Sequence, residues 1–220
     1  MRTVSLSFDE TSALSILCLG AHSDDLEIGC GGTVLRLAQD YPNCVFHWVV
    51  FNAVGVREAE AKRAAARFVP AGRLKGPLLK DFRDGFMPFV GADVKSVFEE
   101  LKQKVSPDLI FTHNRKDAHQ DHRLLAELTW NTFRDHLILE YEIPKYDGDL
   151  GQPSVFVPLQ AEVCEKKIDY IMESFPSQHD KRWFRPDTFR SLMRLRGMEC
   201  NAPAGYAEAF YCRKLVLGSL

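Results

Sequence analysis

The chain has 220 residues, of which 45% are apolar and 26% charged, and its formal net charge is −2. This is the balance of an ordinary globular domain, one long enough to bury roughly 70% of its unfolded surface without a disulfide or structural metal. The 28 basic residues are scattered and form no Lys/Arg stripe, which argues against nucleic acid as a partner. No apolar run reaches the ~18 residues of a membrane helix.

The apolar stretch "ALSILCLGA" follows Asp9 and Glu10 and lacks a basic leader, so it reads as a strand and not as a signal peptide. Cys18, Cys30, Cys44, Cys164, Cys200 and Cys212 are widely spaced with no C-x-x-C pair. Reduced thiols in a cytoplasmic protein are the expectation.

In chain order, strand-length apolar runs alternate with helix-period stretches. "LSILCLG" precedes "GGTVLRLAQDY", "CVFHWVVFNAV" precedes "REAEAKRAAARFV", and "VKSVFEELKQKV" precedes "DLIFTHN". Continuous β-branched and aromatic runs suit strands covered on both faces and joined by crossover helices. A helix near 120–135 and the run "LILEYEI" come next, then "PKYDGDLGQP", whose turn residues predict a surface loop. The remainder reads as "VFVPL", helices near 160–174 and 187–197, and a final strand "AFYCRKLVL". The fold class is α/β, a Rossmann-like doubly wound and mostly parallel sheet, with residues 1–220 as a single domain ending in an α+β extension.

Ligands of such sheets bind outside the carboxyl ends of the strands. Both histidine-rich segments, "AHSDDLE" and "THNRKDAHQDH", fall there. The glycines of "GCGG" come about eight residues past the strand and behind an acidic cluster, which is the wrong place for a dinucleotide loop. They read instead as a tight turn behind the polar residues. His22 and Asp25 can aim at one cation, leaving Asp24 free to act as a general base, but a helix-capping Asp with a solvated neighbour explains "HSDDLE" equally well. "DAHQDH" shifts that balance: His119 and His122 stand at i and i+3, and a histidine cluster at a strand end is not explained by packing. His47, His136 and His179 read as structural or surface residues.

"AHSDDLEIGCGGT" resembles the A-H-P-D-D-x-E…G-G-T signature, and "HNRKDAHQDH" the H-x-x-D-x-H-x-D-H signature, of the LmbE-like (PIG-L) family of zinc-dependent N-deacetylases. "REAEAKRAAARFV", "ESFPSQ" and "YAEAF" extend the resemblance over almost the whole chain. It implies a zinc amidase acting on an N-acetylated amino sugar or its conjugate, in a family whose members are often homo-oligomers. Carried over, His22, Asp25 and His122 are the metal ligands and Asp24 is the base that takes a proton from zinc-bound water. His119 faces the substrate carbonyl as oxyanion stabiliser and acid, and Asp121 orients and polarises it. Because i and i+2 do not face each other on a helix, that pairing predicts an irregular stretch with the regular helix starting at or after Asp121.

Two positions depart from the family pattern: Ser23 replaces the usual proline, and Ala118 stands where some members carry arginine. The substrate pocket is therefore not transferable along with the metal site. Arg57 is either a substrate contact, by resemblance, or a solvated helix-start residue. Glu27 reads as supporting or capping, Ser177 and Gln178 as structural, and Cys30 as packed under the loop. Glu208 is left open between the pocket and a strand end. Two rival functions remain: a nucleotide-binding module without catalysis, which would hold no stoichiometric zinc, and a metal-dependent phosphoesterase, which normally needs more carboxylate ligands.

Overall fold

The computed structural model describes residues 13–216; Asp9, Glu10 and Leu217 lie outside the described residues. Its strands are β1 (Ser15–His22), β2 (Val45–Asn52), β3 (Leu74–Leu79), β4 (Leu109–His113), β5 (Leu137–Tyr141), β6 (Val155–Leu159) and β7 (Tyr206–Cys212). The helices are α1 (Asp25–Asp40), α2 (Val56–Phe68), α3 (Gly91–Lys104), α4 (Gln120–Thr132), α5 (Ala161–Ser174) and α6 (Pro186–Glu199). The seven strands form one sheet in the order β3-β2-β1-β4-β5-β7-β6. β1 to β5 are mutually parallel where they pair, and β7 runs antiparallel between β5 and β6.

The lack of alternation in the apolar runs has a direct cause. In β1, Ile16 and Cys18 enter the core under α1, α2, α5 and α6, while Leu17, Leu19 and Ala21 enter the core under α3 and α4. β2 divides in the same way, with Phe46, Trp48 and Val50 on one face and Val49 and Phe51 on the other. Successive side chains point to opposite faces and both faces are covered, so apolar residues follow one another along most of each strand instead of alternating with polar ones. Among the described residues no helix is long and apolar enough to cross a membrane.

Two expectations are corrected here. "LKGPLL" was not among the predicted strands, yet it forms β3, the edge of the sheet, where a proline removes no ladder donor that a central strand would need. The "GCGG" glycines do not make a turn; they lie inside α1, which starts at Asp25. A Cβ on Gly29 would collide with the ring of Tyr141, whose hydroxyl donates to the Leu19 carbonyl at 2.7 Å. A Cβ on Gly32 would lie 2.6 Å from Leu159 Cδ1 and 3.0 Å from Glu208 Oε1. The glycines let α1 approach the sheet closely.

That approach brings a buried ion pair onto the helix backbone. Glu208 of β7 accepts from Gly32 N–H at 2.7 Å and Thr33 N–H at 2.6 Å, while Lys167 of α5 donates to the Ile28 carbonyl and to Glu208, both at 2.6 Å. Glu208 is thus a structural clamp on α1, which decides the alternative its sequence position left open. Ser177 is structural as well: its N–H and hydroxyl both donate to Glu60 of α2, at 2.9 and 2.6 Å.

Candidate metal centre

β1 and β4 are hydrogen-bonded neighbours, and the strand order turns back between them. Their carboxyl ends therefore open side by side, and the loops that follow bring His22, Asp24 and Asp25 against His119, Asp121 and His122. His22 closes β1, Asp25 begins α1, and His122 lies in the first turn of α4.

Three ligand atoms converge. His22 Nδ1 is 3.1 Å from His122 Nε2 and 3.3 Å from Asp25 Oδ2, and His122 Nε2 is 3.5 Å from the same oxygen. Ligand atoms of a tetrahedral zinc site, at about 2.0–2.2 Å from the ion, lie about 3.3–3.6 Å apart. The triangle therefore has the dimensions of one face of such a site, and its donors, two imidazoles and one carboxylate, are those of a catalytic zinc centre. His113 packs behind it, its ring stacked 3.8 Å from that of His122. Its Nε2 accepts the Ala21 N–H at 3.0 Å, which uses the lone pair that a metal would need. Asp25 and His122 also cluster with His113, and His22 and His122 with His119, in groups that could hold an ion, and the Ala21 amide on His113 favours the grouping of His22, Asp25 and His122.

Each ligand has a partner that sets its orientation. His122 Nδ1 donates to Asp117 Oδ2 at 2.9 Å, which leaves the Nε2 lone pair facing the triangle. His22 Nε2, on the far side of the ring, lies 3.4 Å from Asp121 Oδ2 and 3.0 Å from Asp84 Oδ1. Asp25 Oδ2 also accepts the His22 N–H at 2.6 Å. Burial opposes charge on Asp25, but the rings of His122, His113 and His22 outweigh it and hold its carboxyl well below the usual carboxylate range. Burial likewise opposes charge on His22, and Asp25, Asp121 and Asp84 more than offset it, raising its pKa well above the ordinary histidine value.

Asp24 is 5% exposed and receives Arg57 Nη2 at 2.6 Å on its Oδ1. Arg57 is thus directed at the site from the start of α2, so it is not a merely solvated residue. Glu27 is 1% exposed and both its carboxyl oxygens lack a hydrogen-bond partner among the described residues. Burial, reinforced by the neighbouring Asp24 and Asp25 charges, pushes its pKa well above the usual range and favours the neutral acid. Cys30 is fully buried with its thiol on the Leu26 carbonyl at 3.3 Å, away from the three ligand atoms.

The expected pairing of Asp121 with His119 is corrected. The Asp121 carboxylate accepts from Gly85 N–H at 2.6 Å and Met87 N–H at 3.1 Å, besides facing His22. His119 meets Asp121 through the backbone instead: its Nδ1 accepts the Asp121 N–H at 3.3 Å and caps α4. The helix starts at Gln120, one residue before the expected point, because this cap satisfies an N-terminal amide of the helix. An accepting Nδ1 places the proton of the neutral ring on Nε2, which stands 3.8 Å from Asp84 Oδ1. Burial and the adjacent His122 and His22 lower the His119 pKa below the ordinary value.

Three contributors escaped the sequence reading. Asp84 comes from the loop after β3, Asp117 from the loop after β4, and Lys145 from the loop after β5. The stretch "PKYDGDLGQP" is the expected surface loop, with Tyr146, Asp147 and Gly148 exposed, but it packs Lys145 inward to 9% side-chain exposure against Asp117. Asp117 lies four residues after His113, one more than the H-x-x-D spacing, within the histidine-rich segment that carried the signal; for Asp84 and Lys145 there was none.

A family model described as PIG-L, GlcNAc-PI de-N-acetylase, matches residues 17–133, which include every residue of the triangle. The uncharacterized deacetylase YaiS of Escherichia coli K12 is 26% identical over 166 residues, covering 70% of this chain and 86% of that protein. An N,N'-diacetylchitobiose deacetylase structure from Pyrococcus horikoshii matches with a TM-score of 0.70 at 19% identity, covering 92% of this chain and 84% of that one. The structure of GalB, the 4-carboxy-2-hydroxymuconate hydratase of Pseudomonas putida KT2440, matches with a TM-score of 0.72 at 18% identity, covering 94% and 99%. At these identities the two structures establish a shared fold, and one fold carries two different reactions.

Proposed function

This chain belongs to the GlcNAc-PI de-N-acetylase (PIG-L) family, and on that footing we propose that it is a metal-dependent amidohydrolase that removes the acetyl group from an N-acetylated amino sugar or amino-sugar conjugate. The observation that carries the proposal is the triangle of His22 Nδ1, Asp25 Oδ2 and His122 Nε2, with edges of 3.1, 3.3 and 3.5 Å. A zinc ion held by these three residues supplies Lewis acidity toward the acetamide oxygen and toward water.

The other steps fall to the chain's own groups. Asp24 is close-buried beside the triangle yet is not part of it, so its carboxylate is the base that takes a proton from the attacking water. Arg57 holds the far side of that carboxylate and keeps one oxygen from turning away. His119 offers its Nε2–H to the oxygen on which negative charge builds during attack. With Nδ1 occupied as an acceptor, the ring works as a neutral hydrogen-bond donor, and the proton collected by Asp24 is the one passed to the departing amine. The balance is then complete: the proton carried by Asp24 releases a neutral amine and acetic acid, Asp24 returns as a carboxylate, and loss of the acid's proton to the amine in solution leaves acetate and a protonated amine. Asp121 supports the site at one remove, orienting His22 and fixing the backbone at Gly85 and Met87.

The test is acetate release from N-acetylated sugars presented free, nucleotide-linked and glycoconjugated, with a chelated sample as control. Phosphate esters and an unsaturated 2-hydroxy tricarboxylate belong in the same panel, since the fold also houses a hydratase. Turnover of either, with no acetate from any acetamido sugar, overturns the deacetylase reading.

A further inference from the structure

We propose that Lys145 is a positioning residue for the metal centre, acting on the His122 ring through Asp117. The inference rests on His22, Asp25 and His122 being the metal ligands.

Three contacts fix Asp117 in place. Its Oδ1 accepts the His119 N–H at 2.8 Å and the Lys145 ammonium at 3.0 Å, and its Oδ2 takes His122 Nδ1–H at 2.9 Å. Asp117 is buried to 4% exposure, where an ionised carboxylate needs both a counter-charge and a full set of donors. Lys145 supplies the counter-charge on the oxygen that His122 does not use. It sits in turn on Asp149 Oδ2 at 2.6 Å, and the same oxygen accepts the Ala118 N–H at 2.7 Å. The loop after β5 therefore grips the histidine-bearing loop at two successive residues, Asp117 and Ala118.

This arrangement bears on the metal because a ligand histidine is aimed by whatever receives its other ring nitrogen. Rotation of Asp117 would swing Nδ1 of His122 and take the Nε2 lone pair out of the triangle. With Lys145 on Oδ1 and His122 on Oδ2, the carboxylate is held at both oxygens. A lysine fits the role: its compact charge reaches both carboxylates at once from a stem buried under the loop.

The test reads zinc binding without substrate, by competition between the protein and a fluorescent chelator, for the parent, Lys145→Met, Lys145→Arg and Asp149→Asn. Lys145→Met is expected to weaken zinc about 10- to 100-fold, the range for losing a group that orients a ligand. Lys145→Arg restores most of the affinity, and the metal-free forms unfold at similar temperatures. Asp149→Asn, which loosens Lys145 while keeping an acceptor for Ala118 N–H, shows a smaller loss in the same direction and serves if Lys145→Met does not fold. Parent-like affinity in Lys145→Met, or in Asp149→Asn when the former is unfolded, overturns the proposal. So does an affinity loss that Lys145→Arg fails to recover, or one matched by a fall in metal-free stability, since either is the mark of general packing. The two readings fail separately: a parent that binds zinc but releases no acetate sinks the deacetylase reading and leaves the Lys145 comparison intact.

Discussion

Arg57 Nη2 lies 2.6 Å from Asp24 Oδ1, so the carboxylate assigned as the base is held by the helix that follows the neighbouring strand. Asp24→Asn preserves size and the burial of the loop but removes the proton acceptor. It is expected to bind zinc as the parent does and to lose about 100- to 10,000-fold in turnover. Arg57→Ala leaves the acceptor but frees it, and a smaller fall in kcat follows. Lys at this position recovers little, because one ammonium does not reproduce the planar guanidinium. Steady-state kinetics with zinc content measured on the same samples checks all three, and full activity in Asp24→Asn removes Asp24 from the mechanism.

Metal removal separates the ligands from their neighbours. His22→Ala, Asp25→Ala and His122→Ala each break the triangle and should lose stoichiometric zinc, whereas His113→Gln should retain part of it. In the parent, zinc at a hundred times its dissociation constant adds about 2.7 kcal/mol, or about 5–10 °C in Tm for a chain of this size. Differential scanning calorimetry with and without chelator reads the shift. A Tm indifferent to chelator in the parent contradicts the site.

His119 has two separable duties, since Nδ1 caps α4 and Nε2 is free to meet substrate. Asparagine can keep the first and not the second. His119→Ala is expected to lose about 1 kcal/mol of stability with the cap, and His119→Asn to lose much less. Both should fall about 100- to 1,000-fold in kcat, as for removal of one oxyanion donor, with KM moving less. Equal kcat in parent and His119→Asn rules out the donor role.

The clamp on α1 gives a stability prediction far from the chemistry. Lys167→Met strands the Glu208 carboxylate at 4% exposure, and breaking a buried pair in this way costs about 3–5 kcal/mol. Gly29→Ala, which drives a methyl into the Tyr141 ring, is expected to cost about 1–3 kcal/mol. Urea unfolding of both variants, with unchanged m-values, is the measurement. If Lys167→Met unfolds with the parent's midpoint, the pair contributes nothing to stability.

The sequence made the parallel sheet legible because the apolar runs of β1, β2 and β4 are continuous, and it made the candidate site legible because His22 and Asp25, like His119 and His122, are near neighbours in the chain. What it concealed is what reaches the site from elsewhere. Asp84 and Lys145 stand in loops with no period, and only the sheet order places them beside His22 and Asp117. The edge strand β3 was hidden by Gly76 and Pro77, which obscure a strand pattern locally but are tolerated at an edge. "GCGG" misled in the opposite direction: glycine is a turn signal in isolation, and its helical i, i+3 spacing at Gly29 and Gly32 was the clue that a helix was pressing on the sheet. Asp121 was assigned to its sequence neighbour His119, while its carboxylate is directed across space to Gly85, Met87 and His22.

The hydrogen bonds from Gly32 and Thr33 to Glu208 span 176 and 175 residues of chain. The helix that begins with Asp25 is therefore synthesised well before Glu208, and two of its amides wait for that side chain. β7, which carries that side chain, is an interior strand, so β6 cannot join the sheet before it either. Contacts of such separation slow folding, since the long loop must close before they form. A nascent chain halted before β7 therefore holds His22, Asp25 and His122 in its sequence and lacks the clamp on the helix that begins at Asp25.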